Sequence, residues 1–153
     1  MRRKEWERDE NFAWEVFDAA PYAVLALTDE SGAPYCVPLS PAREGKRVYF
    51  HCAPAGFKLE LLIKNPQAAM TAVSYYKSVS PKYTMSYASA ILRGKAQIVT
   101  DEAEKALALR RISERYSAAD LDQFDTMMEK YAKATHVVRI DVEQITGKEA
   151  RNG

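Results

Sequence analysis

Two apolar stretches, YAVLALT from Tyr22 and APYCVPLS from Ala33, are separated by little more than the turn Asp29-Glu30-Ser31-Gly32. So short a connection cannot carry a chain across a sheet to a parallel neighbour, so the two must pair as an antiparallel hairpin. The pattern recurs. After a turn at Ala42-Arg43-Glu44-Gly45 comes RVYFHC; then MTAVSYY and a long run from Met85 to Val99, separated by the polar linker KSVSPKY; and finally HVVRIDVEQIT, whose alternation suggests one wet and one buried face. Six strands joined mostly by tight turns predict an antiparallel sheet able to close into a small barrel, mainly β with peripheral helices (α+β). Pro34 and Pro38 fit a strand only at an edge, at a bulge or at a break facing a ligand.

Helices are expected in few places. In the N-terminal segment 1–20, Asp9 is a capping candidate, with Phe12, Val16 and Ala19 on one stripe beside Ala13 and Phe17. FKLELLIKN ends at Asn65-Pro66. Segment 101–133 forms a helical crossing before the last strand: Asp101 opens DEAEKALALRRISERY, with a stripe through Ala103, Leu107 and Ile112, and LDQFDTMMEKYAK follows. At 153 residues and 47% hydrophobic content, 1–153 is expected to be one domain.

Several function classes lose support on motif and charge. The six glycines never fall into a GxGxxG or Walker spacing, and there is no HExxH, GxSxG or paired metal-ligand spacing, so no metal site is expected. Twenty-two Lys and Arg against 21 Asp and Glu leave a net charge of +1, which offers no global field for nucleic acid or an anionic membrane. Cys36 and Cys52 form no CxxC, and neither an export signal nor a run of membrane-spanning length is evident; free thiols in a soluble cytoplasmic protein are expected.

The stretch YFHCAPAGFKLELL (49–62) carries the local chemistry. The chain leaves a strand at His51, turns through small residues and enters a helix whose first amides are free; Gly56 permits close backbone approach and Lys58 adds a cation. A phosphate would suit this place. The alternative reading of the same residues is an ordinary turn at Gly56, a solvated Lys58 and His51 satisfied by backbone. Adjacent strand residues point to opposite faces, so His51 and Cys52 cannot share a pocket without a bulge. Cys52 reads as a small core residue, His136 as structural, and Tyr75, Tyr76, Tyr83 and Tyr87 as core and rim rather than a base-stacking surface.

Taken in order, AAPYAVLAL, PYCVPLS, VYFHCAPAGFKLELLIKNP, YASAILRGKAQIV followed by DEAEKALALRRISERY, and VVRIDVEQITGK resemble the nitroimidazole-resistance branch of the pyridoxamine 5'-phosphate oxidase-like FMN-binding split barrels over nearly the whole chain. The resemblance implies a six-stranded split barrel and a homodimer with FMN at the subunit interface. By matching position, Val37, Pro38, Leu39 and Ser40 would line the isoalloxazine edge and His51 would face flavin or substrate as a catalytic residue. Cys52, Gly56 and Lys58 would belong to the phosphate-binding stretch, and Ser89 would reach the same site from the same chain or its partner. The chain departs from the family at Ser40-Pro41-Ala42 and at Ala88, where the family pattern has an arginine. The implied activity is FMN-dependent reduction of a small nitroaromatic-like acceptor, with NAD(P)H as a candidate donor. A flavin sensor or store that catalyses nothing is the alternative, and the residues supply no convincing pyridoxal-phosphate contacts for vitamin-pathway oxidase activity.

Overall fold

The computed structural model describes residues 3–152. A 3-10 turn and the two-residue strand β1 (Glu7–Arg8) precede α1 (Glu10–Ala19). Asp9 caps α1 as expected, its carboxylate accepting from the Phe12 amide at 2.8 Å. The buried stripe is Ala13, Trp14, Val16 and Phe17, while Ala19 is exposed. The helix is rotated so that Trp14 covers the sheet and Ala13 sits close to Gly147.

Next come β2 (Ala23–Thr28), β3 (Pro34–Leu39), β4 (Ala42–Glu44), β5 (Arg47–Cys52) and α2 (Phe57–Lys64). They are followed by β6 (Gln67–Val79), β7 (Thr84–Ile98), α3 (Glu102–Tyr116), α4 (Phe124–Tyr131) and β8 (His136–Ala150). All six expected strands are present, as β2, β3, β5, β6, β7 and β8, and β1 and β4 bring the sheet to eight. Residues 42–44, expected in a turn, form β4 against Arg47–Tyr49, and the turn itself falls on Gly45 and Lys46. The first three residues of the expected linker KSVSPKY are also sheet: β6 runs to Val79, and Ser80–Lys82 with left-handed Tyr83 make the reversal.

The strand order is β3-β2-β6-β7-β8-β5-β4, with every pairing antiparallel and β1 added beside β8. The sheet curls around a core of Leu25, Phe50, Met70, Leu92 and Ile140, onto which α1 and α2 pack. It does not close. β3 lies at one end of the order and β4 at the other, so the barrel is split between them.

α3 covers the outside of β5 and β8 and makes a second core with Tyr49, Val99 and Val137. Its inward stripe is Ala108 and Ile112, flanked by Leu109 and Tyr116, one position away from the expected Ala103 and Leu107; Leu107 is 39% exposed. This second layer also explains why Val137 and Val138, on opposite faces of β8, are both fully buried. Arg115 ties the layers together, donating to the carbonyls of Phe17 (2.7 Å), Ala20 (2.7 Å) and Pro41 (2.8 Å). It thereby satisfies acceptors left over at the end of α1.

Glu104 pins the start of α3 to the sheet, accepting from the Tyr49 hydroxyl at 2.8 Å and from Arg139 at 2.8 and 2.9 Å. The Arg139 guanidinium holds the Glu104 carboxyl below its ordinary value, assisted by Tyr49. A carboxyl with a depressed folded-state pKa contributes stability that is full above its unfolded value, about 4.3, and is lost as pH falls through the folded value. The melting temperature should therefore fall as pH drops below about 4. Glu104→Gln should destabilise by about 1–3 kcal/mol at neutral pH and flatten that acid limb in a thermal melt series; an unchanged limb would remove Glu104 from the account.

Candidate functional site

The split exposes two unpaired strand edges. Pro34 and Pro38 stand opposite Thr28 and Val24 in the β2 register. Proline has no N–H to give a ladder, so at these positions the hydrogen-bonding side of the backbone faces away from β2. Alternation then turns the N–H group of Cys36 to the free edge. Across the gap, β4 pairs only with Arg47–Tyr49, leaving Phe50, His51 and Cys52 with one uncovered edge of their own. Polar backbone and two prolines here face an open slot.

Side chains divide by parity. Val37 and Leu39 turn inward and pack on the barrel core, whereas Pro38 and Ser40 point outward and are exposed. On β5, Phe50 and Cys52 enter the core and His51 is exposed on the outer face. His51 and Cys52 thus lie on opposite faces, as strand geometry requires. Burial pushes the Cys52 thiol up, opposed by the nearby Lys58 ammonium, which leaves the group a neutral thiol rather than a nucleophile. Its cross-strand neighbour His136 begins β8, and the buried Nδ1 of that ring has no hydrogen-bond partner.

Below the slot, α2 begins without a side-chain cap. Gly56 is its N-cap, at φ +139°, and its carbonyl accepts from the Leu59 and Glu60 amides at 2.9 and 3.3 Å. The Phe57 and Lys58 amides are left without a capping side chain. By contrast α1 and α3 each carry an aspartate cap, Asp9 and Asp101. Lys58 is half-buried beside this end and enters none of the lysine ion pairs among the described residues. Free amides, a positive helix end and an uncommitted ammonium form a place for an anion, and an aspartate cap there would repel one.

The structure brings Ser40 and His51 together in a cavity of about 330 Å³ whose other walls are α3 and α4. It groups Cys52, Gly56 and Lys58 around the loop below. Ser89 is not among them: it lies on the outer face of β7, paired with Val73 and Lys148, three strand spacings from β3, or about 14 Å. That outer face carries the exposed Tyr22, Val73 and Ile91. Tyr75, Tyr76 and Tyr83 are exposed on the β6–β7 hairpin, and Tyr87 packs edge-on against Trp6. The walls supplied by Tyr116, Phe124, Met128 and Tyr131 are not among the residues expected from the sequence. Their signal is the 3- and 4-residue spacing of Phe124, Met127, Met128 and Tyr131 on an otherwise polar helix.

An antiparallel barrel left open between two strand edges, with an uncapped helix start beneath the opening, defines a split-barrel protein. The pyridoxamine 5'-phosphate oxidase family model matches residues 9–149, and the chain belongs to that family. No curated protein matches. Among solved structures, the chain is 27% identical to a 5-nitroimidazole antibiotic resistance protein from Bacteroides thetaiotaomicron, covering 92% of this chain and 84% of that one with a TM-score of 0.75. The flavocytochrome Anf3 from Azotobacter vinelandii is 23% identical over 99% of this chain and 72% of its own, with a TM-score of 0.82. An FAD-binding protein from Mesorhizobium loti is 20% identical over 95% and 97%, with a TM-score of 0.70. Among the described residues no helix is long and apolar enough to cross a membrane.

Proposed function

We propose that this protein binds FMN in the split of its barrel and reduces a small acceptor there. The observation that carries the reading is the uncapped start of α2, with Gly56 and Lys58, directly below the free edges of β3 and β5. The Phe57 and Lys58 amides and the Lys58 ammonium would hold the phosphate. The Cys36 backbone amide would serve the polar edge of the ring, with Val37, Leu39 and Ser40 beside it, and Pro38 would give it an apolar rest. The orphaned His136 Nδ1 near Cys52 is a further polar group for a ligand at this mouth. The likeness in fold to a flavocytochrome and to an FAD-binding protein adds support for a flavin.

When bound, a flavin supplies two-electron transfer between a donor such as NAD(P)H and a small acceptor. The chain's own part is to hold that ring at an open edge and to present His51 beside it for positioning the acceptor or giving it a proton. A cavity against His51 favours this over a flavin store, which needs no second pocket. The exposed outer face with Tyr22, Val73 and Ile91 suits burial by a second copy of the chain, whose Ser89 would then reach the ring. We assign the functional unit as a homodimer on that ground.

Two results are expected. In titrations of flavin-free protein, FMN should bind one per chain, and riboflavin, which lacks the phosphate, about a hundredfold or more weaker; equal affinity would remove the phosphate site. His51→Ala should lower turnover of a nitroaromatic acceptor by about tenfold or more while FMN affinity stays within about threefold. Unchanged turnover would leave His51 without the role.

A further inference from the structure

α4 is an amphipathic helix that buries nothing. Phe124, Met127, Met128 and Tyr131 share one face of it, yet no residue of the helix is buried, and Met127 and Tyr131 remain 46% and 50% exposed. An apolar face held in order normally covers apolar matter. This one faces the cavity of about 330 Å³ that holds His51 and Ser40. No Asp, Glu, Lys or Arg lines that cavity among the described residues. Its polar groups besides His51 and Ser40 are the hydroxyls of Ser113, Ser117, Thr135 and the two tyrosines. The Tyr116 hydroxyl is spent on the Pro41 carbonyl at 3.0 Å, and burial pushes its pKa up.

We propose that this cavity is the acceptor subsite and that it takes an uncharged, single-ring aromatic molecule. The α4 thioethers and rings would pack its faces, and His51 with the neighbouring hydroxyls would address its polar substituent. The proposal rests on the flavin reading for what lies on the far side of His51. Size and charge set the class: the volume is at the small end of ligand pockets, and an anionic group buried there would meet no lysine or arginine in the lining. A nicotinamide dinucleotide, with its charged pyrophosphate, is excluded from this cavity. A larger cavity of about 670 Å³ between α1 and the β6–β7 hairpin is lined by Glu15, Lys77, Glu149 and Arg151, and those charges suit no neutral guest.

The test is equilibrium binding of 4-nitrobenzyl alcohol and 4-nitrobenzoate, alike in ring and size and different in charge, to the flavin-loaded protein. The alcohol should bind at least about tenfold tighter. Met128→Trp, and separately Met127→Trp, should fill the cavity and weaken the alcohol by about tenfold or more, with flavin occupancy unchanged. Because α4 buries no residue, neither change threatens the fold. Equal affinity for the two compounds, or undiminished alcohol binding in both tryptophan variants, overturns the proposal. Loss of flavin from the variants overturns it too, because the cavity then holds the cofactor. Should the wild-type protein take up no flavin yet show the same discrimination and the same loss in the variants, the pocket stands and the flavin reading falls.

Discussion

Replacing Gly94 with alanine is expected to cost about 3 kcal/mol or more of folding stability. A Cβ at that position would lie 2.1 Å from the Asp141 carbonyl oxygen, 2.9 Å from its carbon and 3.0 Å from the Val142 Cα. All three are backbone atoms of β8, so no rotamer change relieves the clash. Relief requires β7 and β8 to part at the place where their register shifts between Arg93 and Gly94. That bulge bends the sheet, and one of the two longest pairings in the barrel runs through it. Gly45→Ala is the control: its backbone is left-handed at φ +58°, but nothing lies within 4 Å of the added methyl. There the cost should be about 1 kcal/mol, the conformational penalty alone. Urea melts of the two variants separate steric from conformational cost; equal losses would contradict the close approach of the strands.

The second large effect falls on the ligand. Lys58→Ala should weaken FMN by about ten- to a hundredfold, the loss of one charge-assisted contact of about 1.5–3 kcal/mol. Fold stability should change little, because Lys58 is outside the lysine ion pairs seen among the described residues. Gly56→Val attacks the same place through the backbone. No atom lies within 4 Å of a Cβ there, so the substitution meets open space, but φ of +139° is a conformation valine does not hold. The loop must rearrange, and with it the amides that would meet the phosphate. Fluorescence titration of FMN against each variant checks both; wild-type affinity in the pair would remove the α2 end as the phosphate site.

Much of the scaffold could be read from residue order because each signal was local. Asp9 and Asp101 mark two helix starts, Gly32 and Gly45 lie at tight turns, and two-residue periodicity marks strands that have one covered face. Signals failed where both faces share one environment. On the β6–β7 hairpin Lys77 and Ser78 are exposed on opposite sides, so polarity concealed the continuation of the strand beyond Tyr76. At Val137 and Val138 both sides are buried, so alternation vanished. In α3 two neighbouring stripes are almost equally apolar, and only packing against Tyr49 and Val137 selects Ala108 and Ile112.

The candidate site divides along the same line. Gly56 and Lys58 are two residues apart and belong to one loop and helix start, so their pairing is visible in sequence. Ser40 and His51 meet only because the sheet curls and β4 returns beside β5, and α4 reaches them from beyond residue 120. Such convergence leaves no spacing to recognise. What was available was the amphipathic face of α4, which periodicity reveals without saying what it covers.

The most direct measurement is the visible absorption spectrum of the freshly purified protein, with chromatographic identification of whatever heat releases. Flavin bands near one equivalent per chain are expected, with FMN as the released compound. A colourless protein that also takes up no added FMN would contradict this expectation.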